Sequence, residues 1–191
     1  MNTSALQSAS WAVRRSMLDA CFWGVSIFLV SAASHAAEAD TSVSNETAAT
    51  AAFDRLKALE GAWRVADPED HPLRIKFYPT AGGSSLVESW EVNGRSHSLT
   101  IYHRDGNKLL ATHYCPQGNQ PRMELTKIND EQISFAFHDI TDLDAESEQY
   151  QHDLAFNLYS DDHIIRSEQY RDGSGGDYPS QLNLSRISED Q

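Results

Sequence analysis

Two histidines and a cysteine, His97, His113 and Cys115, lie on two neighbouring segments in which polar and apolar residues alternate. If residues 104–106 form a three-residue hairpin loop with Gly106 in the left-handed conformation, His97 faces His113 across the two strands. Side chains opposed in this way have Cβ atoms about 5 Å apart. Because two imidazoles and a thiolate suit zinc or copper, these residues form a candidate metal site, although no metal-binding spacing motif accompanies them.

The three-residue loop places every odd-numbered residue of this hairpin on one face. That face carries His97, Leu99, Ile101, His103, Leu109, Ala111, His113 and Cys115. A two-residue turn at positions 105 and 106 would mix polar and apolar sets, because a slip of one residue moves each side chain to the opposite face. We therefore favour the three-residue loop. For the histidines and the thiol, we favour the polar end of a cavity, hydrogen-bonded to water, over a metal site.

A glutamate shares the apolar face of another predicted strand. Glu88 alternates into the same face as Trp90 and neighbouring aliphatic residues. A carboxylate among apolar side chains must be paired or protonated. Arg122 is a candidate partner, and so is Arg166 beside Glu168. An inward guanidinium could also bind a ligand carboxylate through two nitrogens. Alternatively, Arg166 and Glu168 form an outer-face pair worth less than about 1 kcal/mol. The sequence leaves both interpretations open.

His152 is a further candidate because it has the parity of Leu154 and Phe156 on its strand. An inward imidazole there could be a fourth metal ligand or an axial heme ligand. The predicted ligand-binding set is therefore His113, Trp90, Glu88, His152 and Arg122. The alternative metal set is His97, His113 and Cys115, and the sequence does not decide whether zinc, heme or no cofactor is bound.

The elements that must position these residues are short alternating segments separated by turns. We predict strands at residues 62–66, 73–78, 85–92, 96–103, 108–115, 122–128, 132–138, 149–158, 163–170 and 180–187. Turn pairs such as Asn-Gly at 93–94 make the connections hairpin-length, so successive strands should be antiparallel neighbours. About ten strands in a meander are too many to stay open comfortably. The sequence therefore predicts an all-β, up-and-down antiparallel barrel.

Three regions precede or form this barrel. Residues 1–36 combine the basic pair Arg14 and Arg15, a short apolar stretch and a small-residue cleavage site, which predicts a signal peptide and export to a bacterial periplasm or outside the cell. Residues 37–50 lack large apolar groups and predict a flexible leader. The barrel domain occupies residues 51–191 and opens with a short helix. Its apolar stripe of Phe53, Leu56 and Leu59 is suited to covering one mouth of the barrel.

The charge of the mature chain bounds its partners. The whole sequence has 15 basic and 28 acidic residues, and cleavage after residue 36 would leave 13 and 27, a formal charge of −14. Such a surface repels nucleic-acid phosphates, so we predict no nucleic-acid binding. The apolar stretch before residue 36 is too short for a stable membrane span, which needs about 20 residues. The mature chain would keep one cysteine, Cys115, and could form no internal disulfide.

A helix that leads into a Gly-x-Trp motif at Gly61–Trp63, followed by a meander barrel, resembles the calycin group of lipocalins, fatty-acid-binding proteins and nitrobindin-like heme barrels. The runs Tyr102–Gly106 (YHRDG) and Thr112–Met123 (THYCPQGNQPRM) more narrowly resemble a group of bacterial lipocalin-like proteins. The resemblance covers roughly residues 53–175 and implies a barrel with a small-ligand cavity. It implies no particular activity.

Three functions remain open from the sequence. We favour an exported, monomeric binding protein that encloses a small, partly apolar ligand. The second is a metal- or heme-dependent redox or isomerisation enzyme that uses inward-facing histidines. The third is a structural module of the cell envelope, whose interior would be filled by large side chains.

Overall fold

The computed structural model of the chain describes residues 45–68 and 70–188. The predicted signal peptide and residues 37–44 of the predicted leader lie outside these residues. Helix α1 occupies residues 45–57. Ten strands follow: β1 Gly61–Val65, β2 Leu73–Thr80, β3 Ser85–Val92, β4 Arg95–Asp105, β5 Lys108–Tyr114, β6 Gln120–Ile128, β7 Gln132–Thr141, β8 Gln149–Ser160, β9 His163–Asp172 and β10 Asp177–Arg186.

The ten strands form one closed antiparallel barrel. Each strand pairs with its neighbours along the chain, and β1 pairs with β10, with Trp63 opposite Arg186. The predicted all-β, up-and-down barrel with a short N-terminal helix is therefore confirmed. The connections are short because their residues tolerate a left-handed backbone: Asn93 and Gly94 between β3 and β4 have φ values of 53° and 73°. Closure leaves no open sheet edge along the meander.

Helix α1 lies across one end of the barrel. Its buried residues are Ala49, Ala52, Phe53 and Leu56. Residues 45–50, which the sequence assigns to the leader, are part of this helix. Arg104 at the end of β4 holds them in place, since its Nη1 donates to Thr50 Oγ1 at 2.7 Å and its Nη2 donates to Glu46 Oε1 at 3.1 Å. The turn between β6 and β7 contacts the helix through the Asp130 carbonyl, which accepts from Arg55 Nη2 at 2.7 Å.

Trp63 explains the Gly-x-Trp motif in physical terms. Its fully buried indole donates from Nε1 to the Leu59 carbonyl at 2.8 Å, which joins the chain after the helix to β1. The Arg186 guanidinium of β10 lies 4.4 Å from the centre of the indole ring. Gly61 leaves space for the same arginine, whose Nη1 lies 3.0 Å from where a Cβ would stand. The motif thus connects the helix to both strands that close the barrel.

The predicted register of the β4–β5 hairpin is wrong. Asp105 pairs with Lys108, so the turn has two residues, and Thr100 pairs with His113. The even-numbered residues of β4 face the interior: Tyr102 and Thr100 are fully buried, whereas Leu99 and Ile101 are only half-buried. The prediction failed because it counted apolar residues. The buried hydroxyls of Thr100 and Tyr102 have polar partners inside the barrel, which removes the cost of burying them.

The interior has an apolar part next to α1 and a polar part beyond it. The largest buried apolar side chains are Trp63, Tyr102, Phe77, Phe135, Phe156, Leu56, Ile75, Leu86, Leu109, Met123 and Ile133. Phe156 packs against Phe77 and Tyr102, and Tyr102 packs against Phe135, with ring centroids 5.8 to 6.2 Å apart. Aromatic side chains therefore fill this part of the barrel. The buried polar side chains are Glu88, Ser98, Thr100, His113, Asn119, Gln151 and Arg166.

Candidate functional site

The candidate site is built on an ion pair inside the barrel. Arg166 of β9 donates from Nε to Glu88 Oε1 of β3 at 2.6 Å and from Nη1 to Glu168 Oε2 at 2.6 Å. Residues Glu88 and Arg166 are 0% and 1% exposed, and the Glu168 side chain is 11% exposed. Strands β3 and β9 are not neighbours in the sheet. The pair therefore crosses the barrel interior and exists only when the meander has closed.

Both oxygens of the Glu88 carboxylate accept hydrogen bonds. Trp90 Nε1 donates to Oε1 at 2.6 Å, the Tyr102 hydroxyl donates to Oε2, and the Arg166 guanidinium carbon lies 4.6 Å from the centre of the Trp90 ring. Burial lowers the pKa of Arg166, but the Glu88 and Glu168 carboxylates outweigh it and raise this pKa above its usual range. Burial and the Glu88 charge raise the pKa of Tyr102 well above its usual value. The arginine is thus a cation, and the tyrosine a neutral donor, at physiological pH.

His113 lies in the same interior region as an uncharged imidazole. Its Nδ1 lies 3.0 Å from Thr100 Oγ1 and its Nε2 lies 3.3 Å from the Tyr170 hydroxyl. Burial, together with the charge of Arg166, lowers the pKa of His113 to about 3. Burial also raises the pKa of Tyr170. Threonine, imidazole and phenol therefore form a chain of neutral hydrogen-bonding groups from β4 to β9.

Two buried polar atoms of the site have no hydrogen-bond partner among the residues that the structure describes. They are Nη2 of Arg166, a donor, and Oε1 of Gln151, an acceptor. Both side chains are anchored to the same oxygen, because Gln151 Nε2 donates to Glu168 Oε2 at 3.2 Å and Arg166 donates to it through Nη1. Buried polar groups in proteins are nearly always hydrogen-bonded, so such a pair requires water or a ligand group.

The structure brings three of the five predicted ligand-binding residues together and separates the other two. Glu88, Trp90 and His113 belong to the interior polar region. Arg122 instead faces outwards, where its Nε donates to Asp139 Oδ1 at 2.5 Å and its side chain is half-exposed. Of the two candidate partners for Glu88, Arg166 takes that position and Arg122 does not. Alternation on β6 agrees with the outward position of Arg122, because Pro121 and Met123 on either side of it are buried.

His152 lies at a bulge in β8, which changes the alternation used to predict its direction. The pairing with β9 shifts between Gln151 and Asp153, and the fully buried inward residue is Gln151. The His152 ring stacks on Phe137 at a centroid distance of 5.4 Å, and its Nδ1 lies 2.8 Å from Asp153 Oδ2. Its Nε2 lies 3.0 Å from Arg171 Nη1. The ring thus lies among side chains of its own and adjoining strands, apart from the Glu88–Arg166 pair.

The metal-binding alternative required His97, His113 and Cys115 on one face. His97 is exposed, His113 is buried, and Cys115 is half-buried just beyond β5. Burial raises the pKa of the Cys115 thiol, which disfavours the thiolate that binds metals. Within residues 45–68 and 70–188, no three histidine, cysteine, aspartate or glutamate side chains are grouped to hold a metal ion. The corrected hairpin register is the reason that the three residues do not meet.

Several members of the site were not identified from the sequence. Tyr170 has the parity of Arg166 and Glu168 on β9, and this alternation would have identified it. Thr100 and Tyr102 were assigned to the outer face by the wrong register. Gln151 could not be found by alternation, because it directly precedes the β8 bulge.

A groove of about 550 Å³ lies elsewhere, on the outside of the barrel. Its lining includes Ser134, Ala155 and Ser167, which alternate with the buried side chains of β7, β8 and β9. The same lining includes the carboxyl residues Asp153 and Glu168 but no cationic residue. The interior region combines a cation with two carboxylates and two unpartnered polar atoms. We therefore place the candidate site inside the barrel.

Comparisons with known proteins add no family assignment. No family model and no curated protein sequence matches the chain. What the structure supports is the closed ten-strand antiparallel barrel, which is compatible with a calycin-like fold. In the described part of the chain, no helix is long and apolar enough to cross a membrane.

Proposed function

We propose that this chain is an exported binding protein whose barrel interior holds a small, partly apolar ligand. The observation that carries this proposal is the pair of buried, unpartnered polar atoms, Arg166 Nη2 and Gln151 Oε1. They lie in the polar part of the interior, on the side away from α1. A buried polar atom without a hydrogen bond costs about 1–3 kcal/mol, and a ligand group that bonds to both atoms would remove this cost.

The neighbouring side chains suit a ligand with an apolar body. Trp90 and Val92 lie towards the end of β3 that is remote from the helix, and both are only partly buried against the core. Tyr170 and Glu168 are also partly exposed, so this part of the interior communicates with solvent. Protein cavities for small molecules combine such aromatic and aliphatic walls with a few convergent polar groups. The ligand would enter with its polar group first and leave its apolar part against Trp90.

The finer parts of the proposal come from the sequence. The pattern of residues 1–36 supports export, and the acidic composition supports a ligand other than nucleic acid. The runs Tyr102–Gly106 and Thr112–Met123 support a relationship to bacterial lipocalin-like proteins. We propose a monomer, because barrel closure leaves no strand edge along the meander for a second copy to extend.

Native mass spectrometry and an absorption spectrum of protein taken from its own export compartment test this function. We expect an additional mass that leaves on gentle activation. We also expect His113→Ala to keep the circular dichroism spectrum of a folded barrel and to lose the added mass. A protein that carries nothing and shows no saturable change of tryptophan fluorescence with any small apolar compound would contradict the proposal.

The filled aromatic core favours a second candidate, a structural envelope module. Tyr102, Phe135 and Phe156 occupy the interior beside α1 and leave a ligand only the remaining part. A structural module predicts that ordered water satisfies Arg166 Nη2 and Gln151 Oε1. A high-resolution crystal structure of protein purified from its export compartment distinguishes the two functions, because water and an organic ligand give different density. The metal- or heme-dependent enzyme receives no such support, since His97 is exposed, His113 is buried, and Thr100 rather than His97 lies opposite His113.

A further inference from the structure

We infer that the interior site selects an uncharged ligand group that offers both an acceptor and an N–H donor, such as a primary carboxamide or a lactam, and rejects carboxylates. The inference rests on the proposed binding function and specifies the chemistry of that same site. It differs from the expectation that an inward arginine captures a ligand carboxylate.

The Arg166 guanidinium is already partly occupied by protein carboxylates. Bidentate capture of a carboxylate uses two nitrogens on one edge of the group. Nε donates to Glu88 and Nη1 gives one of its two N–H groups to Glu168, so Nη2 is the guanidinium nitrogen left without a partner among the described residues. On either edge that includes Nη2 the second nitrogen already contacts a carboxylate, which favours a single carbonyl oxygen over a bidentate carboxylate.

The charged groups of the interior do not balance. Glu88 and Glu168 contribute two negative charges and Arg166 contributes one positive charge, which leaves a net charge of −1. His113 adds no compensating charge at neutral pH, because burial and Arg166 hold its pKa at about 3. A ligand carboxylate would raise the net charge to −2 in a region of low dielectric constant, where repulsion is strong. The net charge therefore opposes an anionic ligand.

Gln151 and Arg166 together disfavour a simple cation as well. Gln151 Oε1 needs a donor, and an ammonium group would supply one. An ammonium group has no acceptor, however, and would leave Arg166 Nη2 unpartnered beside a second cation. A carboxamide gives its oxygen to Arg166 and its N–H to Gln151. It thus satisfies both atoms without changing the charge.

A matched series of probes tests this selectivity on the mature protein: hexanamide, hexanoate and hexylamine, titrated at pH 7.4 while tryptophan fluorescence is recorded. Trp90 is the reporter because its indole is bonded to Glu88. We expect hexanamide to bind about tenfold more tightly than the other two, the effect of one or two additional hydrogen bonds. Equal affinities, or tighter binding of hexanoate or hexylamine, would overturn the inference and leave the binding function intact. Failure of all three probes to bind contradicts the proposed function itself.

Two matched variants locate the effect. Gln151→Met keeps the length of a fully buried side chain and removes its acceptor, and we expect it to abolish the preference for hexanamide. Gln181→Met makes the same change at an exposed position of β10 that lines the outer groove, and we expect it to keep the preference. The reverse result would assign binding to the groove and refute the interior site. Thermal unfolding of both variants shows that each remains folded. If Gln151→Met does not fold, Gln151→Glu provides the second test. Its added negative charge should lower the affinity for hexanamide and should not raise the affinity for hexanoate.

Discussion

Replacing Arg166 by methionine should destabilise the protein far more than replacing any surface cation. The substitution removes the cation that pairs with Glu88, the only one to do so among the described residues, and leaves that carboxylate buried beside Glu168. Breaking a buried ion pair by removing one partner costs about 3–5 kcal/mol. A whole domain is stable by about 5–15 kcal/mol, so we expect a marked fall in the midpoint of urea unfolding. Tryptophan fluorescence measures this unfolding.

A double-mutant cycle separates the ion pair from the loss of packing. We expect Glu88→Gln with Arg166→Met to be less destabilised than the sum of the single variants by at least about 2 kcal/mol, because the double variant leaves one fewer unpaired charge inside the barrel. Lys108→Met is the surface control. Its ammonium contacts Glu124 at 2.7 Å, but both side chains are about one-third exposed or more, so the loss should stay below about 1 kcal/mol. Additive single effects, or equal losses for Arg166→Met and Lys108→Met, would refute the reasoning.

Three further predictions concern acid stability, a tight loop contact and the outer face. Because the folded pKa of His113 lies near 3 and the unfolded value near 6.5, its contribution to stability is complete above about pH 6.5 and is lost as the pH falls towards 3. His113→Gln should therefore show a smaller loss of unfolding free energy between pH 7 and pH 4 than the unmodified protein, and equal slopes would contradict this. Gly173→Ala should cost about 2 kcal/mol in urea unfolding, because the new Cβ would lie 1.9 Å from the Ala145 carbonyl oxygen, and an unchanged midpoint would show that the loop yields freely. Arg122→Met breaks a half-exposed pair with Asp139, so it should change the free energy of unfolding by less than about 1 kcal/mol. It should leave the binding of the probe compounds unchanged. Loss of binding would restore the predicted role of Arg122 in the site.

The barrel could be predicted from the sequence because residue alternation and turn-forming residues are local properties of the chain. The Asn-Gly turn at residues 93–94 and the alternating pattern of β9 both appear within ten residues of chain. What alternation could not supply is the effect of irregularities. The bulge in β8 reverses the parity that pointed His152 inwards and makes Gln151 the buried residue.

The site itself was only partly readable, for a different reason. Glu88 and Arg166 are 78 residues apart and lie on strands that do not pair, so no local pattern joins them. The sequence could state that Glu88 needs a partner, because the cost of an unpaired buried charge is general. It could not choose between Arg122 and Arg166, because that choice depends on which side chains meet across the closed barrel. The register error at β4–β5 arose similarly, from buried hydroxyls whose partners lie elsewhere in the chain.

The division of the interior decides how a ligand would approach. Helix α1 and the aromatic side chains close one end, so entry is restricted to the opposite end, where the loops after β5, β7 and β9 lie. Trp90 and Tyr170 are the partly exposed side chains between that end and the buried ion pair. A compound that enters there would meet Trp90 and Tyr170 first, then Gln151, which pairs with Tyr170, and would reach Arg166 last. The filled half of the barrel would be the rigid floor that holds Glu88 and Arg166 in position.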